Sequence, residues 1–391
     1  MKNRLIIFLL LIIPFTSFSQ DIKSILSEIE KNNSTLKAYQ GLTDARKLET
    51  HTGIFPDNPE IGYSYQWGNP SAIGKKRNIS ITQSWDFPTV YGLKKQIASS
   101  QNEQIDLDYQ LRRLEVLAKA KSICNELVYL NSLNQELLER LSHAKKITNA
   151  YNSRFEKGDA NILEKNKAAL NLLIAKNKLQ KNETEKTALL SELSALNGGN
   201  PVVFSDTEYL ITDLPDNFEG WFTQMENQIP VLQQSQNEIE INQKEIQLNK
   251  AKNLPRFSTG YASELLDAEA FRGISFEVSI PLWENKNTVK LAKAKKTATE
   301  KVAVDARILY YNHLKVQFEK TQNLQNILDD FKDTLPSINN AGLLKKALDA
   351  GEISLINYML ELSLYYETIN TILETELEFN QAVAALYYFN Q

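Results

Sequence analysis

Metal binding and nucleophilic catalysis are the two kinds of chemistry the side chains of this 391-residue chain could be asked to perform, and their spacing supports neither. His51, His143 and His313 are far apart, Met225 and Met359 are isolated, and no cysteine or histidine pair has the spacing of a ligand set. The single cysteine, Cys124, sits in a strongly helical stretch, where it reads as a buried apolar residue and leaves no disulfide framework. The sequence carries no nucleophile elbow, no phosphate-cradling glycine loop and no metal-helix motif. Its Asp/Glu pairs fall on charged helical faces, where support from residues one turn away is the ordinary explanation. The expectation is therefore a protein that is not an enzyme and has neither cofactor nor metal site. A net charge of −4 also argues against nucleic acid as a partner.

The elements that carry these residues are mostly long helices. Residues 1–19 read as a signal peptide: Lys2 and Arg4, then the apolar run Leu5 to Ile13, then Ser17-Phe18-Ser19, with a mature start near Gln20. No later apolar run approaches the roughly 20 residues that a membrane helix needs. Entry into a membrane would therefore require a closed barrel. Apolar residues recur three and four apart, as at Ala120, Ile123, Leu127, Leu130, Leu137 and Leu141, which is the seam of a coiled-coil-like helix. The same order of events appears twice, about 195 residues apart: helix, two strands, very long helix, glycine turn, helix. The copies occupy residues 20–200 and 219–391, with 201–218 as linker.

The strands follow from alternation. Asn58-Pro59 is expected to end a helix begun near Asp21, and Leu254-Pro255 to do the same in the second copy, because proline disfavours helix in its predecessor. Ile61, Tyr63, Tyr65 and Trp67 then oppose Gly62, Ser64 and Gln66, while Ile79, Ile81, Trp85 and Phe87 oppose Ser80, Thr82, Ser84 and Asp86. In the second copy Ile274, Phe276, Val278 and Ile280 oppose Ser275, Glu277 and Ser279, after a less regular strand around Phe257 and Tyr261. The expected strands are 60–67, 78–87, 256–264 and 273–281, with hairpin tips near Gly68 to Arg77 and Leu265 to Arg272. A soluble hairpin packed on helices is one reading of such alternation. The other is a membrane barrel, because Trp67, Trp85 and Trp283 lie at or beside strand ends, where barrels carry their interfacial girdles.

Length decides how these parts combine. Tyr91 to Lys157, and Glu284 to Ala350 with only Pro336 as a breaker, allow helices of about 65 residues, roughly 100 Å. Their partners are about 38 residues after each glycine turn and about 34 before each hairpin, so two short helices match one long one. The four strands would emerge together at one end of a helical cylinder. Four strands cannot close a barrel, eight being about the practical minimum, so copies must pool strands; three copies would supply about twelve.

The two-copy pattern, the strand entries at Asn58-Pro59 and Leu254-Pro255, the exits Gln83-Ser84-Trp85-Asp86-Phe87-Pro88 and Ser279-Ile280-Pro281-Leu282-Trp283, and the turns around Gly158 and Gly351 resemble the TolC family of outer membrane efflux proteins. The first exit, with Gly92 and Lys94 after it, looks more like the CzcC/CusC branch that serves metal-cation pumps. The resemblance implies a mainly α fold with a small β part, in which a long α-helical barrel joins a trimeric 12-stranded transmembrane β-barrel in outer-membrane lipid. It implies a passive export duct partnered by an inner-membrane pump and a periplasmic adaptor. Lys157, Gly158, Asp159, Ala350, Gly351 and Glu352 would be docking tips at the periplasmic mouth; a plain helix C-cap is the other reading of each glycine. The family's ring of carboxylates beyond the second glycine is only partly present: Asn357 stands six residues after Gly351, Leu360 nine after it and Glu361 next, with Glu164 at the first copy's six-residue position. Glu164, Glu352, Asn357 and Glu361 are thus the aperture candidates. Ser80, Thr82, Ser84, Ser275, Glu277 and Ser279 would line the barrel lumen. The rival reading is a periplasmic coiled-coil adaptor or scaffold without a channel.

Overall fold

The computed structural model describes residues 21–210, 212–335 and 341–390. The expected signal peptide and Pro336 lie outside the described residues. In the first half, α1 (Ile22–Asn32) and α2 (Ser34–Thr50) lead to β1 (Glu60–Trp67) and β2 (Lys75–Trp85), followed by α3 (Pro88–Glu156) and α4 (Ile162–Leu196). In the second, α5 (Phe218–Met225) and α6 (Pro230–Ala251) lead to β3 (Arg256–Leu266) and β4 (Ala270–Ser279), followed by α7 (Thr288–Thr334), α8 (Ala341–Asp349) and α9 (Leu355–Leu386).

The 69-residue α3 is the spine, spanning about 100 Å at ~1.5 Å per residue. Pro88 starts it, because a first-turn residue needs no N–H and proline's φ is already helical. Gly158 stops it at φ 81°: Asp159 N–H donates to Arg154 O at 2.8 Å and Gly158 N–H to Phe155 O at 3.1 Å. The second copy ends α8 in the same way at Gly351 (φ 76°), with Glu352 N–H on Ala347 O at 2.9 Å and Gly351 N–H on Leu348 O at 3.1 Å. In both, a left-handed residue caps orphan carbonyls, and glycine adopts it without steric cost.

Helix boundaries before the sheet differ from expectation. No single helix runs from Asp21 to Asn58. The chain breaks at Asn33, whose side chain caps α2 by accepting from Leu36 N–H at 2.9 Å and also donates to Leu196 O at 2.8 Å. α2 then ends at Thr50, eight residues short of Asn58, through a turn with Gly53 at φ 68°. In the second copy Pro230, one residue after Ile229, enforces the matching break, since it has no N–H for the preceding turn.

These breaks stack short helices beside long ones. The end of α4 meets the α1–α2 junction, where a Cβ on Gly198 (φ +67°) would lie 2.5 Å from Asn32 O. Ile22, Ile25 and Ile29 of α1 bury themselves against Leu127 and Leu193, with Phe204 of the linker closing the cluster. The equivalent junction of the second copy buries Phe218 and Phe222 of α5 against Leu314, Phe318, Leu386 and Phe389. At ~1.5–3 kcal/mol per buried large apolar side chain, these two clusters are the main adhesive midway along the molecule.

The strands form one antiparallel sheet in the order β1-β2-β3-β4. Its centre pairs β2 of the first copy with β3 of the second, from Trp85 opposite Phe257 to Lys76 opposite Leu266. β2 begins at Lys75 and ends at Trp85, displaced from the expected 78–87, because Phe87 already takes the N-cap position before Pro88. β3 runs on to Leu266, and β4 covers 270–279 instead of 273–281. Pro281, which cannot donate to a ladder, leaves Ile280 outside the strand.

Candidate functional site

The register sorts the sheet into two faces. Ile61 lies opposite Ile81, Ile81 opposite Tyr261, and Tyr261 opposite Ile274, so these four share one face across all strands. Tyr63, Tyr65 and Trp67 on β1, Ile79 and Trp85 on β2, Phe257 on β3, and Phe276 and Val278 on β4 fall on that same face. On the other face Ser80 pairs with Ala262, Thr82 with Gly260 and Ser84 with Ser258; Ser275 pairs with Gly260 and Glu277 with Ser258. All six lumen candidates, Ser80, Thr82, Ser84, Ser275, Glu277 and Ser279, therefore share the polar face.

The apolar face has no cover within the described residues. Ile274 is 91% exposed, Ile61 76% and Trp67 75%. A single chain also leaves the outer backbone edges of β1 and β4 without a strand partner. An apolar face with two open edges is unstable in water and forbidden in lipid unless the edges find partners. Trp67 and Trp85 stand near opposite ends of this face. Trp67 pairs with Lys75, and Trp85 lies 85 − 75 = 10 residues further along β2. That is about 33 Å of strand, or about 25 Å of height at the usual barrel tilt of ~40°.

Polar side-chain contacts tie the hairpins together at both ends of the sheet, and Lys76 meets Glu264 at 2.7 Å between β2 and β3. At the seam with the helices, Asp86 lies 3.0 Å from Arg256 and 3.8 Å from Lys94, and its N–H donates to the Tyr91 hydroxyl at 2.8 Å. At the far end Lys75 N–H donates to the Asp267 carboxylate at 3.1 Å, joining the two hairpin tips. The Gly74 position holds this contact open, since a Cβ there would sit 2.7 Å from that carboxylate.

About 100 Å away, at the other end of α3, the helix tips form. Lys157, Gly158, Asp159, Ala350, Gly351 and Glu352 are all exposed, and the two tips are brought together by Tyr151, Ala168 and Leu355, buried in a small cluster. Glu164 is not a free aperture carboxylate: it accepts from Asn161 N–H at 2.9 Å while Asn161 accepts from Glu164 N–H at 2.9 Å, a reciprocal cap on α4. The second copy keeps half of this device, with Asn357 N–H donating to Ser354 Oγ at 3.2 Å. Glu352, Asn357 and Glu361 are exposed, and within one chain they form no ring.

The histidines do not converge. His51 faces Asn102 at 3.3 Å, His143 faces the Tyr366 hydroxyl at 3.3 Å, and His313 lies beside Tyr310. Among the described residues no three His, Cys, Asp or Glu side chains are placed to hold a metal ion. Cys124 is fully buried, and desolvation pushes its thiol up to about 12. Sequence reasoning missed Arg140, buried between α3 and α9. Its only sequence signal is a charge at a seam position, in step with Leu137, Ala144, Thr148 and Tyr151.

No protein-family model matches the sequence, and no curated protein sequence does. The fold does match solved structures. Against CusC, studied for conformational changes accompanying folding and transmembrane channel formation, the TM-score is 0.78 at 14% identity, over 95% of this chain and 92% of that one. The Campylobacter jejuni CmeC outer membrane channel gives 0.74 at 16% identity, over 94% and 85%. The Vibrio cholerae outer membrane protein VceC gives 0.75 at 11%, over 94% and 95%. The fold of this chain is therefore TolC-like: a mostly helical body carrying one small antiparallel sheet.

Proposed function

We propose that the chain is one subunit of a homotrimeric outer-membrane efflux duct of the TolC type. It would span the membrane with a shared 12-stranded barrel and reach through the periplasm to an adaptor and an inner-membrane pump. The observation that carries this reading is the two-faced sheet with open edges, whose apolar face is about as tall as a bilayer core. No helix among the described residues is long and apolar enough to cross a membrane. The duct does no chemistry of its own; pump and adaptor supply the energy, and small solutes leave along the polar face. Heavy-metal cations are the proposed cargo class, on the CzcC/CusC-like exit sequence alone. A coiled-coil adaptor offers no use for an exposed apolar sheet face built from two hairpins that each sit between helices in the chain.

The test is reconstitution into planar bilayers. The full chain should insert and conduct. Ile274→Lys, on the apolar face, should block insertion, since a lysine facing mid-bilayer lipid costs ~2–4 kcal/mol per copy. Ser275→Lys, one residue on, should insert normally and shift selectivity towards anions. Equal insertion of both variants, or none by the parent chain, would remove the duct reading. For cargo, deletion should sensitise cells to particular metal cations; unchanged tolerance across a metal panel would remove that part alone.

A further inference from the structure

Charge is divided between the two faces of the sheet as unevenly as hydrophobicity is. Eight charged side chains stand on the four strands. Glu60, Lys76, Arg256, Glu264 and Glu277 fall on the polar face, a set of both signs. Lys75, Arg77 and Arg272 fall on the apolar face: Lys75 lies opposite Trp67, Arg77 opposite Tyr65, and Arg272 opposite Ser263, in one row with Ile79 and Tyr63. These three are all basic, and all stand in the half of the sheet nearer the hairpin tips. At the helix end the same face carries Trp85, Phe257 and Val278, with no charge.

The three cations are exposed. Lys76, on the polar face, is paired with Glu264. Among the described residues, the Arg77 and Arg272 guanidiniums and the Lys75 ammonium have no ion pair or hydrogen bond. The acidic residues nearby, Asp267 and Glu269, lie in the turn beyond β3, and the Asp267 carboxylate accepts from the Lys75 backbone N–H. Arg77 and Arg272 flank β3, about 10 Å apart across the sheet and about 7 Å along it, with Leu265 and Ser263 between them. A cation on a lipid-facing surface is costly in hydrocarbon and favourable where it reaches anionic oxygens, which a guanidinium's planar fork meets two at a time. The rings of Tyr65 and Trp67, in the same rows as Arg77 and Lys75, suit the headgroup level where such oxygens lie.

We propose that Lys75, Arg77 and Arg272 form a binding site for a lipid whose headgroup carries phosphomonoesters, with its acyl chains laid over Ile79, Ile274 and Phe276. That this face meets lipid, and that the tips stand in the outer leaflet, rests on the duct reading. The choice of lipid does not, since a barrel needs no cations on its apolar face to insert. A phosphomonoester brings about −1.5 to −2 charges at neutral pH to this three-cation site, where a phosphodiester brings one.

Native mass spectrometry of the full chain purified in detergent counts the lipid it holds. The probes are lipid A with a phosphomonoester at each end of its disaccharide, the same lipid stripped of both phosphates, and phosphatidylglycerol, whose phosphate is a diester. The chain should hold lipid A at least about tenfold more tightly than either comparison lipid. Arg77→Gln combined with Arg272→Gln should weaken retention about tenfold or more, and the matching pair of lysine substitutions less. Lys76→Gln, one residue away on the polar face, should change it by under about twofold. Inorganic phosphate in excess should leave lipid A in place, because it has no chains to bury against the apolar face. The stripped lipid tests the site on the parent chain, independently of any folding defect in the double variant. Equal retention of the stripped lipid or of phosphatidylglycerol, displacement by inorganic phosphate, no loss in the double glutamine variant, or an equal loss in Lys76→Gln would overturn the proposal. A chain that conducts in phosphatidylcholine bilayers but holds lipid A no better than its stripped copy would lose this site and keep the duct; one that holds lipid A in detergent but never inserts would do the reverse.

Discussion

At the scale of single residues, the positions most constrained are those where geometry leaves one residue type free of strain. Gly351 at φ 76° is one. Gly351→Val should destabilise the second tip by ~1–2 kcal/mol, the cost of a left-handed conformation for a residue with Cβ. Faster hydrogen exchange confined to α8 and the start of α9 would register it. Cys124, with its thiol pushed up to about 12 by burial, should resist maleimide at neutral pH in the folded protein and react once the chain is denatured. Glu30 is held below its ordinary value chiefly by hydrogen bonds from Arg113, whose Nε and Nη2 lie 2.6 and 2.8 Å from its oxygens. A lowered folded value means stabilisation that is present above the unfolded carboxyl's ~4.3 and lost as pH falls through the folded one. Partial exposure keeps it under about 1 kcal/mol. Denaturant midpoints should therefore separate Glu30→Gln from the parent chain at pH 7 and bring them together near pH 3. That Ser80, Thr82, Ser84, Ser275 and Ser279 would share one face of the sheet was legible because a strand's period of two needs no knowledge of its neighbours. Glu164 was misread although Asn161-x-x-Glu164 is a capping signature in the sequence itself, whereas Arg140 was not legible because its hydrogen-bond partner Asn370 lies 230 residues away.

At the scale of elements, the long helices and all four strands were legible, and their ends were less so. β2 stops two residues early because the helix beyond it claims Phe87 as its cap. The break at Asn33 carries no proline or glycine; it exists because that side chain satisfies both the start of α2 and the end of α4. Buried asparagines also set the register between helices. Asn182 donates to Leu130 O at 3.1 Å, joining α4 to α3, and Asn237 donates to Ser100 O at 2.8 Å, joining α6 to α3. Asn237→Ala should cost about 1–3 kcal/mol in thermal or denaturant unfolding, since it leaves the Ser100 carbonyl short of a donor. Asn237→Asp should cost more at neutral pH than in acid, because a buried carboxylate cannot donate to that carbonyl and a carboxylic acid can.

At the scale of the whole molecule, two copies of one plan lie side by side, joined through α3 and through the β2–β3 pairing. The sequence showed that each chain carries too few strands to close a barrel. It could not show that the two hairpins join into a single sheet, because β2 and β3 are some 170 residues apart and adjacent only after the helices fold back. The central claim is that β4 of one copy pairs with β1 of the next. Within one chain these strands are separated by two others, about 14 Å in all, which is too far for a disulfide. With Cys124 buried, cysteines placed at Ile61, Tyr63 or Tyr65 on β1 and at Arg272, Ile274 or Phe276 on β4 can bond only between copies. Oxidation of such pairs in membranes should give a ladder of covalent species that stops at three copies, in one register and its near neighbours. A chain that forms no β1–β4 bond in any register while embedded in lipid would contradict the shared barrel.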